Sequence, residues 1–235
     1  MITKRTSESR GFADHGWLQA RHSFSFAEYY DPAEMGWSAL RVINEDRVQP
    51  GTGFGMHGHR DMEIVTYILA GELEHRDSLG NGGVIRRGEI QYMSAGSGIR
   101  HSEFNPSQDA ETHLLQIWIA PARRNLLPSY AQHDLAPPDR AMPLQLVASA
   151  DGAHGSVVIG QDARLYAGHL DADQQHGHAL PAGRLAYVHL IAGELDLNGI
   201  QLKAGDGAKI RDEAILLFAA RDASEFLVFD LPPHP

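Results

Sequence analysis

Four residues of this chain could together hold a divalent metal ion: His57, His59, His101 and Glu103. They form two pairs of identical spacing, His57-Gly58-His59 and His101-Ser102-Glu103. On a β-strand, residues two apart share a face. Each pair therefore offers two donor groups side by side if its segment is extended. Two such strands facing one another would bring three imidazoles and one carboxylate together. Neutral imidazole and carboxylate suit borderline-hard ions. Fe(II), Mn(II), Ni(II), Co(II), Cu(II) and Zn(II) all fit, and the donor set does not choose among them. Four protein donors on an octahedral ion leave two positions open, room for a substrate and for water or dioxygen. Burying this much titratable surface without a metal would be costly.

The elements that must position these pairs read as strands. Segments 63–69, 112–119, 185–191, 215–219 and 225–230 are short, rich in β-branched or aromatic residues, and bounded by Gly, Asn and Asp. Asn81-Gly82-Gly83 and Asn198-Gly199 are hairpin-turn signals. Helical periodicity is scarce: 29–35 reads as a turn or short helix and 122–131 as another. The pattern predicts an all-β barrel or sandwich. Five prolines fall between Pro121 and Pro143, where strand pattern is weak. This places a boundary there, with an N-terminal metal-binding unit over 1–130, a linker over 131–142 and a C-terminal unit over 143–235.

The two halves echo each other. Ile68-Leu69-Ala70-Gly71-Glu72-Leu73 recurs as Leu190-Ile191-Ala192-Gly193-Glu194-Leu195, and each copy is followed by a glycine–acid step, Gly88-Glu89 and Gly205-Asp206. Duplication of one β unit is the reading. Carried across at constant offset, His57 and His59 fall on Ala179 and Pro181. Counted from the glycine–acid step, His101 and Glu103 fall on Phe218 and Ala220. All four positions are apolar in the second copy, so one half is expected to bind metal and the other to have filled its site. His176-Gly177-His178 lies three residues away from the expected place and reads as a loop.

Composition limits the remaining choices. The 235 residues suffice for two small cores. There is no cysteine, which excludes thiolate zinc sites and iron–sulfur clusters. A formal net charge of -10 disfavours direct nucleic-acid binding. No apolar run is long enough for a membrane helix, so no membrane association is expected. Residues 1–10 are polar and lack the apolar stretch of a secretory signal, so a cytoplasmic location is expected.

Across nearly its whole length the chain resembles the pirin family of the cupin superfamily. The stretches that carry the likeness are His22-Ser23-Phe24-Ser25-Phe26, residues 40–46, Gly55-Met56-His57-Gly58-His59-Arg60-Asp61-Met62-Glu63, residues 77–82, and residues 94–103 ending in His101-Ser102-Glu103. The likeness implies a bicupin of two antiparallel, jelly-roll-like barrels packed face to face. It implies one metal in the N-terminal barrel, usually assigned as iron and so Fe(II), held by His57, His59, His101 and Glu103. It also implies flavonol dioxygenase activity of the quercetinase type, with the flavonol and dioxygen as partners, carbon monoxide as a product and Glu103 as the proton acceptor. The alternative it carries is a non-enzymatic metal or redox sensor that docks on a partner protein.

Other polar residues take ordinary roles on this reading. The general cupin pattern would draw on Glu63, which is expected here as an outer hydrogen-bond partner or a surface charge. His75 and His113 are expected to be structural. Gln116 either lines the site or faces outward. Phe24, Phe26, Phe54 and Trp118 are candidates for an aromatic pocket, with core packing preferred for each.

Overall fold

The computed structural model describes residues 1–135 and 141–233. It is all-β, and its two compact units each pair a seven-stranded sheet with a four-stranded one. These are two cupin domains. Among the described residues no helix is long and apolar enough to cross a membrane.

One unit comprises Gly11–Gly36 and Leu40–Leu135. Its large sheet runs, from edge to edge, Ser129–Asp134, Glu89–Ser94, Glu63–Ala70, Thr112–Ile119, Leu40–Val48, Leu18–His22 and Gly11–Asp14. Its small sheet runs Gly53–His59, Ile99–Phe104, Glu72–Asp77 and Gly82–Arg86. The other unit gathers Met1–Arg10, Trp37–Ala39 and the chain from residue 141. The expected N-terminal domain of 1–130 is therefore corrected at its start. Ile2–Arg5 pairs with Gly207–Ile210, and the Trp37 indole donates to the Ala186 carbonyl. Proline density marks a boundary between halves but carries no sign of a terminal strand that joins the opposite half. At the other end, Ser129–Asp134 is a strand paired with Glu89–Ser94, where a short helix and then a linker were expected. Residues 136–140 of the expected linker lie outside the described residues.

The strand signals translate closely. Thr112–Ile119 forms as read, and 63–69, 185–191, 215–219 and 225–230 each extend by one or two residues. Asn198 and Gly199 take φ of 49° and 86°, the two positive values that a two-residue hairpin loop demands. Residues 29–35 form no helix; Pro32 and Ala33 make a turn.

The repeat is visible as matching registers. In the first unit His57 stands opposite His101; in the second His176 stands opposite Phe218. His176-Gly177-His178 is thus a strand, not a loop, and it is the counterpart of His57-Gly58-His59. The constant offset missed this because the step from His178 to Leu185 is three residues longer than the one from His59 to Glu63. The counterparts of His101 and Glu103 are apolar, as expected. Phe218 stacks on Phe226 at 4.9 Å within a core that includes Ala220, Leu190 and Val228.

A polar row crosses the large sheet of the first unit. Cross-strand pairing aligns His22, Asn44, Gln116, Thr66 and Gln91 in turn. All five are buried. The matching row of the second unit is Tyr166, Val228, Val188 and Ala208. The same fold carries an apolar row in one unit and a hydrogen-bonding one in the other. The barrel does not need these polar groups to fold, so their role lies in what they face.

Candidate metal centre

Gly53–His59 and Ile99–Phe104 are neighbouring antiparallel strands of the small sheet. His57 pairs directly with His101, and Ile99 pairs with His59, so the three imidazoles share one face. Their ring centroids lie 4.5–4.8 Å apart. One ring nitrogen from each falls within 4.8 Å of the others. The register slips between His101 and Glu103, a bulge that re-aims the carboxylate. Gly53 makes the bulge feasible, because a Cβ there would sit 2.2 Å from the Glu103 carbonyl oxygen.

The structure brings three of the four expected residues into one cluster and sets the fourth beside it. Glu103 groups with His101 and with His75, which stands opposite it on Glu72–Asp77. Both Glu103 oxygens accept from Gln116 Nε2, at 2.8 and 2.7 Å. The Gln116 carbonyl oxygen accepts from the Trp118 indole at 3.2 Å. Gln116 therefore lines the site.

The hydrogen bonds fix which nitrogens are free. His57 Nδ1 lies 2.7 Å from the Gly55 carbonyl, which can only accept, so Nδ1 carries a proton and Nε2 is the nitrogen that holds the lone pair of the neutral ring. His101 Nδ1 faces His75 Nδ1 at 3.3 Å, while the buried His101 Nε2 has no partner among the described residues. Burial, and then His57, push the His59 imidazole down to about 4. Burial, with His57, His59 and His75, pushes His101 down to about 2. Both rings are neutral at physiological pH, the form that ligates. Converging lone pairs, an orphaned buried nitrogen and an adjacent carboxylate fit a divalent metal.

His75 is fully buried behind this cluster. It stacks on Tyr130 at 4.9 Å, and its Nε2 lies 3.6 Å from Asp77. Metal-bound histidines commonly have such an outer partner on the second ring nitrogen. The expectation of a merely structural histidine missed this contact, since pairing with Ile99–Phe104 is not readable from the local sequence. His113 does take an ordinary role, bonding Glu45 at 2.9 Å. Glu63 is buried rather than a surface charge. Its Oε1 accepts from the Tyr92 hydroxyl at 2.7 Å, and it stands outside both clusters.

A cavity of about 220 Å³ opens on His57, His59 and Glu103. Phe26, Phe54 and Trp118 line it; Phe54 and Trp118 also pack against core clusters as expected, and Phe24 is wholly core. Trp118 meets His59 edge-on at 4.9 Å. Asp46 also lines the cavity, so Glu103 is not its only carboxyl. Burial, and then Asp46, push Glu103 up to about 8, against the lowering effect of the Gln116 bond.

A bicupin with one donor-rich barrel and one apolar barrel defines the class. The comparisons with known proteins agree. A family model described as Pirin matches residues 3–119, and one described as Quercetinase C-terminal cupin domain matches residues 146–231. The chain belongs to the pirin family. It is 47% identical over 233 residues to quercetin 2,3-dioxygenase of Escherichia coli K12, covering 99% of this chain and all of that protein. It is 43% identical to a pirin-like protein of Caulobacter vibrioides, over 98% of this chain and 99% of the relative. The crystal structure of the Escherichia coli bacterial pirin YhhW in complex with nickel(II) superposes with a TM-score of 0.95, at 47% identity, over 99% of this chain and all of that one.

Proposed function

We propose that this chain is a metal-dependent dioxygenase that cleaves flavonols such as quercetin with dioxygen and releases carbon monoxide. The observation that carries the reading is the convergence of His57, His59 and His101, with His57, His59 and Glu103 lining an aromatic-walled cavity. Relatives named quercetin 2,3-dioxygenase support it.

On this reading His57, His59, His101 and Glu103 hold one divalent metal. Fe(II) is the native ion we propose, and the nickel(II) complex of YhhW supports a site that also takes neighbouring first-row ions. The metal, when bound, supplies Lewis acidity toward the substrate hydroxyl and the redox chemistry of dioxygen.

The protein's own groups do the rest. Phe26, Phe54 and Trp118 receive a flat ring and keep water from it. Glu103 accepts the proton of the flavonol 3-hydroxyl. Beside a bound cation the Glu103 carboxyl would be held ionised, the form that accepts a proton. Gln116 holds that carboxylate by both oxygens and so fixes the direction of transfer. The His57 bond to Gly55 and the His101 contact with His75 set the ring orientations.

The test is incubation of metal-loaded protein with quercetin in an oxygen electrode, with headspace carbon monoxide measured. Oxygen uptake matched by carbon monoxide, above a free-metal control, is expected. Neither signal with any first-row metal would overturn the enzyme and leave the partner-binding metal sensor.

A further inference from the structure

The cavity wall carries a carboxyl outside the expected ligand set. Asp46 lies two residues beyond Asn44 in Leu40–Val48, on the same face. Its cross-strand neighbours are Ala20 on one side and Leu114, then Ile68, on the other. It is an acid in an otherwise apolar row. It is 3% exposed, and its Oδ1 is buried with no hydrogen-bond partner among the described residues. Leaving such a group unsatisfied costs stability.

The fold does not demand a carboxyl there. By register the counterpart of Asp46 in the second unit is Gly168, opposite Phe226. A Cβ on Gly168 would meet the Phe226 ring at 2.5 Å, so an aromatic ring fills that place instead. Two other polar groups of the wall are engaged with neighbours. Asn44 Oδ1 bonds His22 at 2.8 Å, and Gln116 bonds Glu103 and Trp118. Among the described residues lining the cavity, Asp46 alone has a fully buried side-chain oxygen with no hydrogen-bond partner.

We propose that Asp46 is the substrate-recognition carboxyl of this site. It accepts a hydrogen bond from a hydroxyl of the bound aromatic other than the one at the histidine cluster. It thereby selects polyhydroxylated phenols over singly hydroxylated ones. This rests on the reading that the cavity takes a flavonol. At about 220 Å³ the cavity is smaller than the roughly 300–1,000 Å³ that engulfs a drug-sized ligand, so it takes in one hydroxylated end of the three-ring molecule. Burial, with Glu45 adding to it, pushes the Asp46 carboxyl up to about 7. Ionised or not, it bonds a phenol.

The experiment compares metal-loaded wild type with Asp46→Leu, binding two flavonols without oxygen. Quercetin carries hydroxyls on both ends; 3-hydroxyflavone has the 3-hydroxyl alone. Binding is followed by the shift of the flavonol absorption band. Asp46→Leu is expected to keep its metal, to bind quercetin about tenfold or more weakly, and to bind 3-hydroxyflavone like wild type. Asp46→Ala, which adds no volume, should give the same pattern if leucine is not accommodated. Unchanged quercetin affinity overturns the assignment. Equal weakening toward both flavonols, or loss of metal in both variants, overturns it too. Binding needs no turnover, which separates the two claims. Wild type that binds quercetin yet consumes no oxygen defeats the dioxygenase reading and leaves Asp46 to be judged by binding alone. Wild type that binds neither flavonol defeats both.

Discussion

Gln116 Nε2 reaches both oxygens of Glu103, at 2.8 and 2.7 Å, across the interior of the first barrel. One amide thus spans the two sheets and holds the carboxylate that the sequence singles out for chemistry. Gln116→Leu should leave Glu103 buried without its donor and push its carboxyl higher still. The expected cost is about 1–3 kcal/mol of stability. Metal affinity should fall about tenfold, as for loss of other outer partners. Urea unfolding and a competitive chelator titration measure the two.

His75 is expected to act on the metal through His101. His75→Phe keeps the stacking surface against Tyr130 but removes the nitrogen that faces His101 Nδ1. Metal affinity should drop about 10–100-fold, while the one-to-one stoichiometry at saturating metal is kept. A variant that takes up no metal at any concentration would show His75 to be a ligand itself.

The pH dependence of the metal-free protein has two opposing limbs. His59 and His101 are held below their ordinary value in the folded state. The unfolded chain therefore binds more protons as pH falls from about 6.5 toward 4, and stability is lost in that direction. Asp46 and Glu103 are held above theirs, at about 7 and about 8. Their contribution is fully present below about pH 4 and is lost as pH rises through 7 to 8. Asp46→Leu should therefore raise the melting temperature most above pH 7, with the pH-dependent part of the gain fading toward pH 4. A gain independent of pH would refute the buried-carboxyl account. The imidazole contribution to metal affinity should weaken as pH falls through about 4, where the metal-free His59 ring takes a proton and can no longer ligate.

Much of the site was legible because a strand's two-residue period puts spacing directly into geometry. His57, His59 and His101 needed only the inference that their segments are extended. The fold class followed from strand density and from turns such as Asn198-Gly199. What stayed hidden depends on pairing between distant strands. Gln116 looked two-sided because its neighbours are apolar; only its alignment with Asn44 and Thr66 shows the polar row. Polar residues at matching places in otherwise apolar strands, Thr66 in 63–70 and Gln91 in 89–94, were the missed signal. His75 was missed because its partner lies on a strand 26 residues away. Ile2–Arg5 crosses to the second unit through backbone pairing, which no side-chain pattern announces.

The central claim is one metal per chain, held by the first barrel. The second barrel keeps His176 and His178 but has Phe218 opposite His176 where the first has His101 opposite His57. Calorimetric titration of metal-free protein with Fe(II) under anaerobic conditions, or with Ni(II), tests this most directly. The account predicts one tight equivalent in wild type, its loss in His59→Ala and His101→Ala, and its full retention in the double variant His176→Ala/His178→Ala. A second tight equivalent, or an equivalent that survives His101→Ala and disappears with His176 and His178, would contradict it.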